Sequence, residues 1–142
     1  MTVLTQAKAD ALLDKDKLWA NSTNLYYPGL GGEVIAPLVS VDGKERFLLD
    51  IKKSRHVLLR GTYQNRWRKS VILARLDFGG RPHRNPDGEE IDTPHLHLYR
   101  EGFGDKWAFP VPFDISDPFD LWQMLMDFMQ YCNIIENRII RG

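Results

Sequence analysis

Three of the four histidines, His83, His95 and His97, fall within fifteen positions, and imidazole is the side chain whose unperturbed titration lies nearest neutral pH. In Pro94-His95-Leu96-His97-Leu98-Tyr99, strand alternation assigns Leu96 and Leu98 to one side and His95, His97 and Tyr99 to the other. The two imidazoles then stand about 6–7 Å apart along the strand. A pair so placed can divide the acid and base roles of a proton transfer. It can also chelate a divalent metal if His83, Asp77, Asp87 or Asp92 supplies a third ligand. A third reading involves no chemistry: an outward polar face whose imidazoles only form hydrogen bonds.

Guanidinium groups match phosphate oxygens in bidentate geometry. Arg75 therefore joins His83, His95 and His97 as a candidate catalytic residue, and Tyr63, Arg66, Arg68, Tyr99, Lys106 and Trp107 are candidate substrate-binding residues. Together these are the equipment of a metal-independent ribonuclease, in which a 2′-hydroxyl attacks its own phosphodiester, and no cofactor is expected. Trp67 and Trp107 can stack bases or simply pack. The arginines can equally be surface partners of Asp and Glu.

The elements that must position these groups read as helix, antiparallel strands, helix. Thr5 is a suitable N-cap for a helix running to about Ala20, and Tyr26 to Gly32 reads as a loop. Val34–Val41 and Arg46–Lys52 flank Asp42-Gly43, a hairpin turn signal. Val57–Tyr63 and Ser70–Phe78 read as further strands joined through Gln64–Arg68, with Ile72, Ala74, Leu76 and Phe78 on one side and Arg75 and Asp77 on the other. Gly79–Thr93 is a long Gly/Pro-rich loop, of a length more often functional than neutral. A turn at Glu101–Trp107 leads to an apolar stretch, Ala108–Phe113. Asp117-Pro118 signals a last helix burying Phe119, Trp122, Leu125, Met126 and Met129. The expectation is one α+β domain over residues 1–142, a single antiparallel sheet of four to six strands with an N-terminal and a C-terminal helix packed on it.

Nineteen basic and nineteen acidic side chains cancel, so net charge offers no argument for nucleic-acid binding. The distribution is uneven: from Lys52 to Arg75 there are eight Lys or Arg and no acidic residue. The single cysteine, Cys132, cannot form an intramolecular disulfide and reads as a buried small hydrophobe. No signal-peptide pattern and no apolar run of spanning length is present. A soluble, cytoplasmic protein without membrane contact is expected. The sequence contains no P-loop, dinucleotide-binding glycine motif, H-E-x-x-H, C-x-x-C or G-x-S-x-G.

The segments Tyr63–Arg68, Leu76-Asp77, Pro82–Ile91, Pro94–Gly102 and Gly104–Ala108 resemble an uncharacterised family of small bacterial and phage-borne proteins, with Pro-His-x-His-x-Tyr-Arg-Glu-Gly as the most distinctive run. More distantly, the order Arg-x-Asp, His-rich loop, Pro-His-x-His is similar to TumE-like toxins of toxin–antitoxin pairs. That likeness implies ribonuclease roles for Arg75, His83, His95 and His97, although the neutral net charge departs from the basic character usual in RNA-targeting toxins. The expected function is a toxin-like or nuclease-like protein of a mobile element that acts on RNA. The alternative is a non-enzymatic phage or prophage protein that blocks a host or defence protein. The partner would accordingly be RNA, an antitoxin, or a host or defence protein.

Overall fold

Residues 3–115 and 117–142 are described by a computed structural model. Thirteen elements follow in chain order: α1 (Gln6–Asp14), β1 (Lys17–Trp19), β2 (Leu25–Tyr26), β3 (Glu33–Ser40), β4 (Arg46–Lys53), β5 (Gly61–Trp67), β6 (Val71–Phe78), β7 (His83–Arg84), β8 (Glu90–Ile91), β9 (His95–Leu98), β10 (Ala108–Pro110), α2 (Leu121–Tyr131) and β11 (Ile139–Ile140). The main sheet has the order β1-β3-β4-β5-β6-β9-β10, antiparallel throughout. Seven strands exceed the expected four to six, because both edges carry a short strand that the sequence pattern concealed.

One of these edges was expected to be helix. Thr5 does cap α1, accepting a hydrogen bond from the Lys8 amide, but the helix ends at Asp14 and not near Ala20. Asp14-Lys15-Asp16-Lys17 offers no apolar residue to continue a buried stripe. Instead Lys17, fully buried, donates to the carbonyls of Leu13, Lys15 and Cys132 at 2.8, 2.9 and 2.7 Å. One ammonium thus satisfies carbonyls at the C-terminal ends of both helices, groups that have no partner within a helix.

The Asp42-Gly43 hairpin forms as the sequence predicts, with Gly43 at φ 75° and Val34 opposite Ile51. The next strand is displaced from Val57–Tyr63 to Gly61–Trp67. Val57 and Leu58 are exposed, and Thr62, Gln64 and Arg66 alternate with buried Tyr63, Asn65 and Trp67. The polar residues hid the strand, since both of its faces carry hydrogen-bonding groups. A turn with Arg68 at φ 56° leads directly into β6.

α2 starts at Leu121 with Asp120 as its cap, three residues after the expected Asp117. Asp117 instead accepts from the Phe119 amide in the preceding turn, and Phe119 is 69% exposed. Leu125 and Met129 are buried as expected, joined by Met124 and Phe128.

One cluster of buried side chains joins α1, α2 and the sheet, with Leu12, Phe128, Leu38, Leu49, Tyr63, Leu76 and Leu96 at its centre. Each fully buried Leu or Phe contributes roughly 1.5–3 kcal/mol of transfer free energy. Both helices cover the same sheet face. The opposite face carries Asp50, Thr62, Gln64, Arg66, Arg75 and Asp77, so period-two alternation separates a helix-covered core from a polar face. No described helix is long and apolar enough to cross a membrane.

Candidate functional site

Register brings the polar face into order. β6 lies between β5 and β9, with Thr62 opposite Asp77, Gln64 opposite Arg75, Asp77 opposite His95 and Arg75 opposite His97. Residues directly opposite on one face have Cβ atoms about 4.5–5.5 Å apart. Arg75, Asp77, His95 and His97 therefore form one square of neighbours before any loop is considered.

The segment after β6 closes over this square. Gly79 has φ +70°, and a Cβ there would collide with the Leu59 carbonyl oxygen, so only glycine lets the chain leave the sheet by this path. The chain then makes the β7–β8 ribbon, which is docked at defined points. Asn85, 5% exposed, donates to the Ala108 carbonyl at 2.9 Å and accepts from the Ala108 amide at 2.8 Å, standing in for another strand at the β10 edge. Thr93 donates to the Gly80 carbonyl, and His83 Nε2 donates to the Lys106 carbonyl at 2.7 Å. His95 and His97 are consequently 2% and 1% exposed. They are not an outward polar face.

The three rings converge, with centroids 4.5 Å apart for His83 and His97, 5.0 Å for His95 and His97, and 5.9 Å for His83 and His95. His97 Nδ1 lies 2.7 Å from the Asp105 carbonyl and His95 Nδ1 lies 3.3 Å from the Asp92 carbonyl. A carbonyl only accepts, so both Nδ1 atoms carry hydrogen. In the neutral rings the Nε2 atoms then carry lone pairs. These face Asp77 Oδ2, at 3.3 Å from His97 and 3.5 Å from His95, and His97 Nε2 is buried with no hydrogen-bond partner.

Asp77 is held in place from its other side. Its Oδ1 accepts from the Thr62 hydroxyl at 3.0 Å and lies 3.3 Å from Arg75 Nε. Burial by itself would raise the Asp77 carboxyl, but Nε2–H donation from the two imidazoles in their protonated form and the Arg75 charge outweigh it and hold the group well below the usual carboxylate range. Arg75 also donates to Asp105. Its charge is spent on two carboxylates, so its position is that of an orienting group for Asp77.

The pocket over the cluster encloses about 230 Å³ and is lined by His83, His95, His97, Asp77, Thr62, Arg60 and Arg81, among others. It shares Thr62, Arg75 and Asp77 with a second polar hollow that extends to Glu33, Asp50 and Lys52. Arg60 and Arg81 are exposed and, among the described residues, form no ion pair within 4.0 Å. A larger hollow of about 380 Å³ between α1 and the sheet is lined by Ala9, Leu13, Leu73 and Leu98, but no histidine or cysteine reaches it. The chemistry-bearing groups meet in the smaller one.

The remaining candidates lie elsewhere. Tyr63 is fully buried on the core face, donating to the Leu121 carbonyl and accepting from Tyr27. Arg66 makes a two-point contact with Asp50 and donates to the Lys69 carbonyl. Arg68 lies over the ring of Trp67, whose Nε1 donates to Glu45. Tyr99 parts from the histidines: its hydroxyl donates to the Leu4 carbonyl beside α1. Lys106 brings its carbonyl to His83 while its side chain is exposed, and the Trp107 ring packs against Arg100 and Phe103. Of the possible third ligands, Asp77 reaches the pair. Asp92 offers its carbonyl, and Asp87 accepts from the Glu89 amide within the ribbon turn.

Sequence reasoning missed Arg60, Arg81, Thr62, Asn85 and Asp105. Only Thr62 had a signal available, as the β5 residue that alternation places on the Asp77 face once the strand is correctly bounded.

No curated protein and no solved structure matches the chain significantly. A family model does, over residues 4–134 and so over the whole of the site, and the chain belongs to that family, a family of unknown function designated DUF6978.

Proposed function

We propose that the protein is a nuclease-like enzyme that cleaves phosphodiester bonds of RNA in the His83–His95–His97 pocket. The observation that carries this reading is the convergence of three imidazoles and one carboxylate in a concave site lined by two arginines that have no ion-pair partner among the described residues. Pockets that gather acid–base groups in mutual contact are where proton-transfer chemistry is expected. In this reading Arg60 and Arg81 hold the phosphate. His95 draws the proton from the attacking hydroxyl through Nε2, with Asp77 and the more deeply buried His97 packed behind it. His83, half-buried beside them and oriented by the Lys106 carbonyl, protonates the leaving oxygen through Nδ1. The order of Arg-x-Asp, His-rich loop and Pro-His-x-His, distantly similar to that of TumE-like toxins, is in keeping with a growth-arresting toxin of a mobile element.

The test compares native protein with Arg60→Ala/Arg81→Ala on a short single-stranded RNA. Both side chains are exposed, so the fold is retained. Each charge-assisted phosphate contact is worth about 1.5–3 kcal/mol, so kcat/KM is expected to fall by roughly 10-fold or more per arginine, with a shallower dependence on salt. Absence of cleavage by native protein at micromolar concentration refutes the reading, as does a double variant with unchanged kcat/KM.

A further inference from the structure

We infer that Asp77, His95 and His97 form a binding site for one divalent transition-metal cation, with zinc as the best-matched ion. One nitrogen from each imidazole and one oxygen from Asp77 lie within 4.8 Å of one another. The decisive feature is the sign of the groups that meet. Both Nδ1–H groups are turned away to backbone carbonyls, which leaves two Nε2 lone pairs and an ionised carboxylate oxygen facing a common point. With the rings neutral, three lone-pair atoms meet at one point; with the rings protonated, their Nε2–H groups donate to Asp77, so a metal cation and protons compete for the same place.

Such an arrangement is unfavourable in a buried place unless a proton or a metal cation occupies the centre. Apart from the imidazoles themselves, the neighbouring donors are committed elsewhere: the Thr62 hydroxyl and Arg75 approach Asp77 from its Oδ1 side. His97 Nε2, on a side chain 1% exposed, has no partner.

The two separations from the carboxylate suit an ion. Metal–nitrogen and metal–oxygen bonds of about 2.0–2.1 Å in a tetrahedral shell place neighbouring ligand atoms about 3.3–3.4 Å apart. The observed separations from Asp77 Oδ2 are 3.3 and 3.5 Å. The outer contacts also have the form that metal-binding histidines adopt, with the remote ring nitrogen donating to a carbonyl so that ring orientation and tautomer are fixed. Two nitrogens and one carboxylate oxygen select zinc, manganese, iron, cobalt or nickel over magnesium and calcium, which prefer oxygen. Three protein ligands leave a coordination position open. The three ligand residues line one pocket with Arg60, Arg81 and His83, from which a water or a phosphate oxygen can complete the shell.

Metal binding stands on this geometry alone. Only the ion's purpose, as an electrophile for a phosphate, rests on the nuclease reading, and it replaces a metal-independent mechanism with a metal-assisted one.

The experiment uses the full chain, stripped with a chelator and titrated with zinc by calorimetry and with Co²⁺ by visible absorption. One ion per chain is expected, with d–d bands for Co²⁺ that report nitrogen and oxygen ligands in a low-coordinate shell. Asp77→Asn, which keeps the shape of the side chain, and His97→Gln should each weaken binding by more than the roughly 10–100-fold that follows loss of an outer-shell group. Thermal unfolding identifies a variant that fails to fold, in which case Asp77→Asn, His95→Gln and the native titration carry the test. Folded native protein that binds neither zinc nor Co²⁺ at about 100-fold excess overturns the inference, and so does binding undiminished in the folded variants. RNA cleavage is scored separately: bound metal without cleavage overturns the nuclease reading alone, and cleavage by a protein that binds no metal overturns the metal site alone.

Discussion

Asn85 is the residue on which closure of the site depends, and Asn85→Ala tests that claim. Its side chain makes two hydrogen bonds, 2.8 and 2.9 Å long, to the amide and carbonyl of Ala108, a residue with no solvent exposure. Truncation removes both bonds and strands two buried backbone groups, at about 1–3 kcal/mol each. Because β10 is an edge strand, water can relieve part of that cost, and the lower half of the combined range applies, about 2–4 kcal/mol. At 1.36 kcal/mol per decade, the ribbon should open roughly 30- to 1000-fold more often. Native-state hydrogen exchange at the Ala108 amide reads this directly, and loosening of the ribbon that carries His83 should lower any pocket-dependent activity in parallel. Asn85→Asp is a discriminating companion. It keeps an acceptor for the Ala108 amide but sets a carboxylate against the Ala108 carbonyl, so near neutral pH it should destabilise the ribbon as well. It should recover as the carboxyl is protonated in acid, where a donor is restored. Ala108 exchange within about 3-fold of native in Asn85→Ala would refute the claim that this side chain fastens the ribbon.

Two further outcomes test the frame around the site. Asp50 is 4% exposed and takes two 2.7 Å contacts from Arg66 and one of 2.9 Å from Gln64. Asp50→Ala leaves the guanidinium without its partner and should cost about 2–4 kcal/mol, less than a fully buried pair because Arg66 retains some solvent contact. A fall in urea midpoint at unchanged m value is the measurement, and a loss below about 1 kcal/mol would place this network with ordinary surface pairs. Burial lowers the Lys17 ammonium to about 8 from an ordinary value of 10.5. Between those values the unfolded chain holds a proton that the folded chain has released, so stability rises with pH, by at most about 1.4 kcal/mol per unit. Burial pushes the Cys132 thiol up to about 12, and its contribution has the opposite sign and begins near pH 9. The Cys132 contribution is common to native protein and a Lys17 variant, so the difference between their slopes from pH 8 to 9 reads Lys17. Lys17→Met should lower the slope there by the Lys17 contribution, and identical slopes in denaturant titrations of both proteins would contradict the assignment.

Much of the frame was legible in local patterns. Asp42-Gly43 between apolar runs can hardly be anything but a hairpin, because few other dipeptides accept the required positive φ. The 3.6-residue recurrence in Leu125 and Met129 marked α2. The H-x-H spacing put two imidazoles on one side of a strand, and the same alternation put Arg75 and Asp77 together. These inferences use only distances along the chain, which backbone geometry fixes. The errors arose where tertiary contacts override periodicity. Lys15 to Trp19 left the helix because Lys17 is needed by carbonyls at the ends of both helices. β5 was misplaced because a strand whose two sides both hydrogen-bond shows no hydropathy alternation.

The sequence by itself therefore determined which groups share a face: His95 with His97, and Arg75 with Asp77. Only the tertiary structure decided that β6 and β9 are neighbours in a register that sets the two pairs against each other, since the segment between them, Gly79 to Pro94, gives no local signal for where the chain returns. The structure also decided that the pair is buried, through a ribbon fastened by Asn85, and that Tyr99 turns towards α1 once β9 has ended. Which nitrogen of each imidazole faces Asp77 was decided by backbone carbonyls of Asp92 and Asp105, whose positions depend on the folded loops. Spacing along a strand sets the direction of a side chain, but the charge it meets is set by residues that only the fold brings near.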